Sequence, residues 1–175
     1  MQQEPLPPLT INVSDIALRR AEAGDDAFLF GLYAGTRAEE IAAWGWDELQ
    51  QTAFLQMQFG AQQRGYQAQH PNAQSLIILL GEQPVGRTLL ARSEDEIRLI
   101  EIAILPQFRG AGIGTEYLRR LLGEAREAQS VVSLSVMKDN PAQKLYNRLG
   151  FVQIGENELY FSMEWRPAAD AQTIY

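Results

Sequence analysis

One stretch of the chain, Ile97–Leu122, constrains the fold more than any other. Its first part is rich in alternating and β-branched apolar residues, a pattern typical of a mostly buried strand. Pro106 has no amide hydrogen to donate, so it ends that strand. Three glycines on alternate positions follow: Gly110, Gly112 and Gly114. An amphipathic helical pattern then runs from about Gly112 to Ala128, with an apolar stripe formed by Ile113, Tyr117, Leu118, Leu121, Leu122 and Ala125. The sequence therefore predicts a buried strand, a glycine-rich turn and a helix in immediate succession.

This turn has the properties of an anion-binding site. A helix start presents unpaired backbone N–H groups to one point, and the helix dipole adds partial positive charge there. Glycines let a phosphate group approach the backbone without meeting a Cβ atom. Two common nucleotide motifs are excluded, because the last glycine of a dinucleotide fingerprint is replaced by Thr115 or Tyr117 and no Gly-Lys-Ser/Thr triplet occurs. We therefore predict a pyrophosphate site, with a plain strand-to-helix loop as the alternative.

Composition excludes several functional classes. The chain has 175 residues, 46% of them apolar, which fits one ordinary globular domain. It has no cysteine and one histidine, so neither a disulfide framework nor a zinc centre is expected. The net charge of −7 disfavours nucleic-acid binding. No apolar run reaches the roughly 20 residues that span a bilayer, and the N-terminus lacks a signal-peptide pattern. We predict a cytoplasmic protein with no metal, nucleic-acid or membrane partner.

The remaining patterns predict a mixed sheet. Three strands with tight turns, the last of them Ile97–Leu105, form an antiparallel meander, whereas Val131–Val136 follows a helix and should run parallel to Ile97–Leu105. Before the meander we expect a strand at Ile16–Arg20, a helix from Asp25 and Asp26, and a short helix capped by Thr36 and Glu39. Asp47 then opens a longer helix, whose buried stripe is Leu49, Ala53, Phe54 and Met57. A short helix from Asn140 and a final strand pair complete the domain.

We therefore predict an α/β (α+β) domain, with a mixed central sheet of about seven strands and helices on both faces. The domain is expected over residues 15–166, after a loose arm at 1–14 and before a polar tail at 167–175.

Two motifs in this order identify a family resemblance. The first is R-x-x-G-x-G, at Arg109, Gly112 and Gly114. The second is NPAQKLYNRLGF, at Asn140–Phe151. With the predicted order of elements, they resemble the GNAT superfamily of acyl-CoA-dependent N-acyltransferases over roughly residues 16–165. The resemblance implies a GNAT-like fold and an N-acetyltransferase that moves an acetyl group from acetyl-CoA to a primary amine of a small molecule or peptide. The amine would attack directly in a ternary complex, without a metal. A non-catalytic acyl-CoA sensor or scaffold is the alternative.

The resemblance also implies a role for individual residues. The pantetheine arm would pair with backbone along the strand, the pyrophosphate would lie on N–H groups of the turn beside Arg109, and Asn140 would hydrogen-bond the cofactor near the thioester. Tyr146 would protonate the leaving thiolate, as general acid catalysis requires. The implied cofactor residues are Ile102, Ala103, Ile104, Arg109, Gly110, Ala111, Gly112, Ile113, Gly114, Thr115 and Asn140.

Two departures from the family pattern bear on the chemistry. Asn140 precedes Tyr146 by six positions rather than the usual seven, so Asp139 occupies the seventh. The strand Val131–Val136 lacks the acid that many family members carry. We therefore assign the general base to Glu101, which strand alternation places on the face opposite to Ile100, Ile102 and Ile104. A partly buried carboxylate has a raised pKa, which suits this role. The alternatives are a water molecule as base, or Glu101 as a structural acid paired with Arg87 or Arg98.

The acceptor is not determined by the sequence. The resemblance places residues 36–69 over the acceptor site, where Trp44 and Trp46 belong either to the core or to a substrate pocket. Three acids there, Glu39, Glu40 and Asp47, would either receive a cationic amine or form a solvated face. Whether the protein is a monomer or a homodimer also stays open.

Overall fold

The computed structural model describes residues 12–168, which contain seven strands and four α-helices. The strands are β1 (Ile16–Arg20), β2 (Gln74–Leu80), β3 (Gln83–Arg92), β4 (Glu96–Ile104), β5 (Val131–Met137), β6 (Val152–Glu156) and β7 (Tyr160–Trp165). The helices are α1 (Asp26–Ala42), α2 (Glu48–Gln69), α3 (Ile113–Glu127) and α4 (Gln143–Arg148). Most of the predicted arm and tail lies outside the described residues, but Val13–Asp15 form a 3-10 turn.

The strands form one sheet in the order β1-β2-β3-β4-β5-β7-β6. Strands β2, β3 and β4 pair antiparallel, whereas β4 and β5 pair parallel. The helix between β4 and β5 makes a crossover that requires this parallel arrangement. The predicted fold class, the meander and the parallel pair are confirmed.

The largest part of the core lies between the sheet and α3. All six apolar residues of the predicted α3 stripe are buried there: Ile113, Tyr117, Leu118, Leu121, Leu122 and Ala125. The Tyr117 hydroxyl is itself buried and lies 2.9 Å from the Thr88 hydroxyl of β3, so the tyrosine keeps a polar partner. Helices α1 and α2 cover the opposite face, where Leu29, Leu32, Ile41 and Leu55 are buried.

Two predictions for this second face are wrong. Helix α1 runs unbroken through Thr36, whose hydroxyl donates to the Tyr33 carbonyl at 2.7 Å instead of capping a new helix. A Thr hydroxyl inside a helix can bond back to a carbonyl of the preceding turn in this way, so the residue type alone does not fix a helix start. Asp47 does cap α2, as predicted, and the Gln50 side chain completes the cap by accepting from the Asp47 N–H. However, Leu49 and Met57 are 80% and 59% exposed, and the buried residue is Leu55.

Among the described residues, no helix is both long enough and apolar enough to cross a membrane.

Candidate functional site

An opening between β4 and β5 organises the site. The two strands pair only from Glu96 to Leu99 and from Val131 to Leu134, although both continue further. Beyond that point the β4 backbone bonds to β3 on one side, and its other edge faces the opening. The predicted residues Ile102, Ala103 and Ile104 lie along this edge. An unpaired strand edge is what an extended, amide-bearing ligand can hydrogen-bond.

A β-bulge explains why β4 presents different faces on its two halves. Leu90 pairs with Leu99 and Leu89 with Glu101, so Ile100 has no partner on β3. Leu99 and Ile102 consequently both join the core under α3, which regular alternation forbids. The expected alternation therefore holds from Glu101 to Ile104 and is wrong across Ile100. The bulge directs Glu101 toward the α1 and α2 face.

The glycine turn has the backbone geometry of an anion site. Gly110 and Gly112 have φ values of +76° and +88°, in the left-handed region that favours glycine. The first internal bond of α3 runs from the Glu116 N–H to the Gly112 carbonyl at 2.9 Å. The N–H groups of Ile113, Gly114 and Thr115 therefore precede the hydrogen-bonded part of the helix and are available to a ligand.

Gly114 marks free space under the first turn of α3. It shares the buried face of the helix with Leu118 and Leu121, which are 0% and 3% exposed. Yet a Cβ atom at Gly114 would meet no protein atom within 4 Å. Helix α3 packs on β4 and β5, the two strands that border the opening. The turn and the opening thus fit a phosphate group with an extended arm attached.

Two other predicted cofactor residues have partners within the protein. The Arg109 Nε donates to the Ile104 carbonyl at 2.9 Å and so ties the turn to the end of β4. The Asn140 Oδ1 accepts from the Ala142 N–H at 2.9 Å and turns the chain into α4. The Asn140 amide NH₂ remains the group that this side chain can offer to a ligand.

Glu101 lies in a mostly buried polar cluster. Its side chain is 19% exposed, and one carboxylate oxygen lies 3.1 Å from Arg87 Nη1. The Tyr66 hydroxyl donates to the other oxygen at 3.4 Å. Arg87 is held in turn by the Ser75 hydroxyl and the Gln63 side-chain carbonyl, at 3.1 and 3.0 Å.

Burial raises the pKa of Glu101, an effect that the Arg87 charge and the Tyr66 hydrogen bond oppose. Of the two predicted ion partners, Arg87 is the one that contacts Glu101. Arg98 instead donates to the hydroxyls of Ser133 and Ser135.

Tyr146 lies on the other face of the sheet, in the core under α3. It is 7% exposed, and its ring packs edge to face on Phe151 with centroids 5.6 Å apart. Burial raises the pKa of Tyr146 to about 12, so its hydroxyl stays protonated at neutral pH. Since Glu101 and Tyr146 lie on opposite faces, a group held in the opening is what could contact both.

A cavity of about 90 Å³ lies between α1, α2 and the sheet, with Glu101 and Arg87 in its wall. Tyr33, Arg37 and Gln62 also line it, and sequence reasoning did not identify these three. No local motif marks them, because they come from two helices that tertiary packing brings together.

The acids proposed as amine receivers do not line this cavity. Glu39, Glu40 and Asp47 are exposed, although a Glu40 oxygen lies 3.0 Å from Arg37 Nε at the cavity wall. Trp44, Trp46 and Phe54 pack on one another at the α1–α2 corner, with ring centroids 5.1 to 5.4 Å apart. The two tryptophans stay 41% and 39% exposed, so they belong neither to the core nor to the cavity.

Comparison with solved structures shows the same fold in known acetyltransferases. One is an N-acetyltransferase from Thermoplasma acidophilum, solved in complex with coenzyme A, with a TM-score of 0.64 and 15% sequence identity. The superposition covers 86% of this chain and 98% of that protein. The ribosomal-protein-S18-alanine N-acetyltransferase from Escherichia coli has a TM-score of 0.60 and 18% sequence identity, and the superposition covers 91% of this chain and 99% of that protein. At these identities the likeness concerns the fold.

Sequence comparison identifies the family. The [ribosomal protein bS18]-alanine N-acetyltransferase of Haemophilus influenzae is 30% identical over 88 residues, 50% of this chain and 60% of that protein. The N-alpha-acetyltransferase RimI of Mycobacterium tuberculosis is 35% identical over 101 residues, 57% and 58% of the two chains. The matches thus span less than two thirds of these relatives. The sequence profile of the Acetyltransferase (GNAT) family matches residues 36–151, and the chain belongs to this family.

Proposed function

We propose that this protein transfers an acetyl group from acetyl-CoA to a primary amine by direct attack in a ternary complex. The observation that carries the proposal is the opening between β4 and β5. Glu101 and Tyr146 lie on opposite faces of the sheet, and the glycine turn leads into α3, which packs on β4 and β5. We infer from this that the anion donors, the free strand edge and these two side chains act on one ligand held in the opening.

The chain's own groups divide the work of holding acetyl-CoA. The N–H groups of residues 110–115 take the pyrophosphate, and the free edge of Ile102–Ile104 hydrogen-bonds the pantetheine arm. Arg109 keeps the turn attached to β4 through the Ile104 carbonyl. We assign the Asn140 NH₂ group to a hydrogen bond with the cofactor near its thioester end. Backbone N–H groups near the acetyl carbonyl would stabilise the charge that develops on its oxygen.

Glu101 and Tyr146 act at the two ends of the reacting bond. The amine nitrogen bonds to the acetyl carbon, its proton passes to the Glu101 carboxylate, and the carbon–sulfur bond breaks. Tyr146 donates a hydrogen bond to the departing sulfur. Because its pKa of about 12 exceeds the roughly 8.5 of an ordinary thiol, outright proton loss to the thiolate is uphill. We therefore assign Tyr146 mainly to hydrogen-bond stabilisation of the sulfur.

The names of the relatives indicate a first acceptor to test. Two of them are named for transfer to alanine or to an α-amino position. On this basis we propose the α-amino group of a polypeptide as an acceptor for this chain.

Acetyl-CoA binding followed by thiol release tests the proposed function. We expect calorimetry to show binding of acetyl-CoA, and a thiol reagent to detect coenzyme A release that depends on an added amine. The amine panel comprises peptides with free N-termini, amino acids, aminoglycosides and polyamines. Binding without thiol release across the whole panel would contradict the enzyme and favour the acyl-CoA sensor.

Replacing Tyr146 with phenylalanine is expected to lower kcat about tenfold, the effect of losing one hydrogen bond to a charged group. The affinity for coenzyme A should change little, because the hydroxyl acts only when sulfur carries charge. Tyr117→Phe is the matched control, since it removes another buried hydroxyl from the same core. An equal loss of kcat in both variants, or a large loss of coenzyme A affinity in Tyr146→Phe, would contradict the assignment.

A further inference from the structure

We propose that the cavity beside Glu101 selects amines whose neighbouring carbon carries a carbonyl or carboxylate group, as in an amino acid or a peptide N-terminus. Arg37 is the residue that recognises the oxygen of that group. The inference rests on the proposed function and deepens it, because it assigns the residue that recognises the group beside the amine.

Unsatisfied polar atoms concentrate around this one cavity. In the described part of the chain, four buried side-chain atoms lack a hydrogen-bond partner: Arg37 Nε, Gln62 Oε1, Gln63 Nε2 and Glu101 Oε2. Arg37, Gln62 and Glu101 line the cavity, and Gln63 holds Arg87, which also lines it. Folded proteins pair nearly all buried polar atoms. A cluster of unpaired atoms therefore indicates that a ligand supplies their hydrogen-bond partners.

The acceptor atoms of this cluster suit an amine. Glu101 Oε2 and Gln62 Oε1 accept hydrogen bonds, so both can receive the N–H groups of an amino group. Glu101 Oε2 lies 3.1 Å from Arg87 Nη1, which neutralises its charge without forming a directed hydrogen bond to it. The carboxylate oxygen therefore keeps its hydrogen-bonding capacity for a ligand.

The donor atom of the cluster requires an oxygen. The Arg37 Nε–H can only donate, and although it lies 3.0 Å from a Glu40 oxygen, it is not directed at that oxygen. The Nε atom is buried, but the Arg37 and Glu40 side chains as a whole are 39% and 52% exposed, so their ion pair is weak and can yield to a ligand. A carbonyl or carboxylate oxygen beside the amine would satisfy Arg37.

Charge and size narrow the choice further. Two guanidinium groups, of Arg37 and Arg87, and one carboxylate, of Glu101, line the cavity. A polyamine would bring a second cation close to these guanidinium groups, which is unfavourable. The cavity is small, about 90 Å³, and Leu29 and Phe59 in its wall can contact a small apolar side chain on the same carbon.

Two acceptors that differ in one group test the carbonyl requirement. Alaninamide and isopropylamine both carry an amine and a methyl group on one carbon, but only alaninamide adds a carbonyl. The two are compared at equal concentrations of unprotonated amine, because the α-amino group of alaninamide is the weaker base. On that basis we expect kcat/KM to be at least tenfold higher for alaninamide. Alanine and an alanine-initiated tripeptide then distinguish a free amino acid from a peptide, and leucinamide tests the size limit.

Arg37→Met should raise KM for alaninamide about tenfold, so that kcat/KM becomes similar for alaninamide and isopropylamine. The affinity for acetyl-CoA should be unchanged. Arg64→Met, which changes an exposed arginine on α2, is the control and should preserve the preference. Equal use of isopropylamine or spermidine by the native protein would overturn the inference and leave the acetyltransferase standing. Acetyl-CoA binding without turnover of any amine would overturn the proposed function itself. The native preference decides the matter even if Arg37→Met does not fold.

Discussion

Replacing Glu101 with glutamine is expected to lower kcat by about 100-fold to 10,000-fold, the usual contribution of a positioned general base. Glutamine has nearly the same shape and can still accept a hydrogen bond from Tyr66, but it cannot take a proton from the amine. Steady-state thiol release measures the loss, and calorimetry should show that acetyl-CoA still binds.

The stability of this variant needs its own control, because Arg87 loses its ionic partner. Asp25 is a second mostly buried acid, 2.7 Å from the Arg19 guanidinium and remote from the opening. Asp25→Asn therefore removes a comparable ion pair from the same domain. We expect a lower melting temperature in this control with kcat preserved. If Asp25→Asn and Glu101→Gln reduce kcat equally, the loss reflects stability and Glu101 is not the base.

The pH profile gives an independent readout of Glu101. The carboxylate form is the active base, and burial raises its pKa above the ordinary value for glutamate. Activity should therefore fall with decreasing pH at a higher pH than a free carboxyl would produce. The same shift means that protonated Glu101 favours the folded state at low pH, an advantage lost as pH rises through the raised pKa. Any residual activity of Glu101→Gln should lack this acid limb.

Replacing Gly114 with leucine is expected to weaken acetyl-CoA binding about 10-fold to 100-fold without unfolding the chain. The new side chain would enter the space under the first turn of α3, where a Cβ meets no protein atom within 4 Å. In that space the leucine would keep the phosphate from at least one N–H group of the turn. The loss of one charge-assisted hydrogen bond to phosphate costs about 1.5–3 kcal/mol, and each 1.4 kcal/mol is about tenfold in affinity. Leucine also favours helix over glycine by up to about 1 kcal/mol.

Gly123→Leu is the matched control on the same helix. A Cβ atom at Gly123 would likewise meet no protein atom within 4 Å, but its helical neighbours Arg119 and Glu127 are exposed. We expect this variant to bind acetyl-CoA normally and to melt at the same or a higher temperature. An unchanged affinity of Gly114→Leu for acetyl-CoA would contradict the assignment of the pyrophosphate to this turn.

Features fixed by local patterns were predictable from the sequence. The bounds of β1 agree with the prediction, and the α3 stripe is buried at every predicted position. Asp47 caps α2, as its position at the start of the helical pattern predicts. Hydrogen bonds between near neighbours and the periodicity of apolar residues determine such features.

Features that depend on a partner strand or helix were not predictable. The bulge at Ile100 arises because β3 and β4 pair with unequal numbers of residues, and neither strand encodes it alone. In α2, apolar residues occur on several sides of the helix, so the sequence did not indicate that Leu55 would be buried and Leu49 exposed.

By itself the sequence determined the strand, the glycine turn and the helix of residues 97–122, because backbone sterics and helix periodicity act over a few residues. It also supplied the two motifs that indicate the family. Only the tertiary structure decided that Glu101 would contact Arg87 and Tyr66. It alone gathered Arg37, Gln62 and Glu101 around one cavity, because their contacts join segments far apart in the chain and depend on how helices and sheet pack.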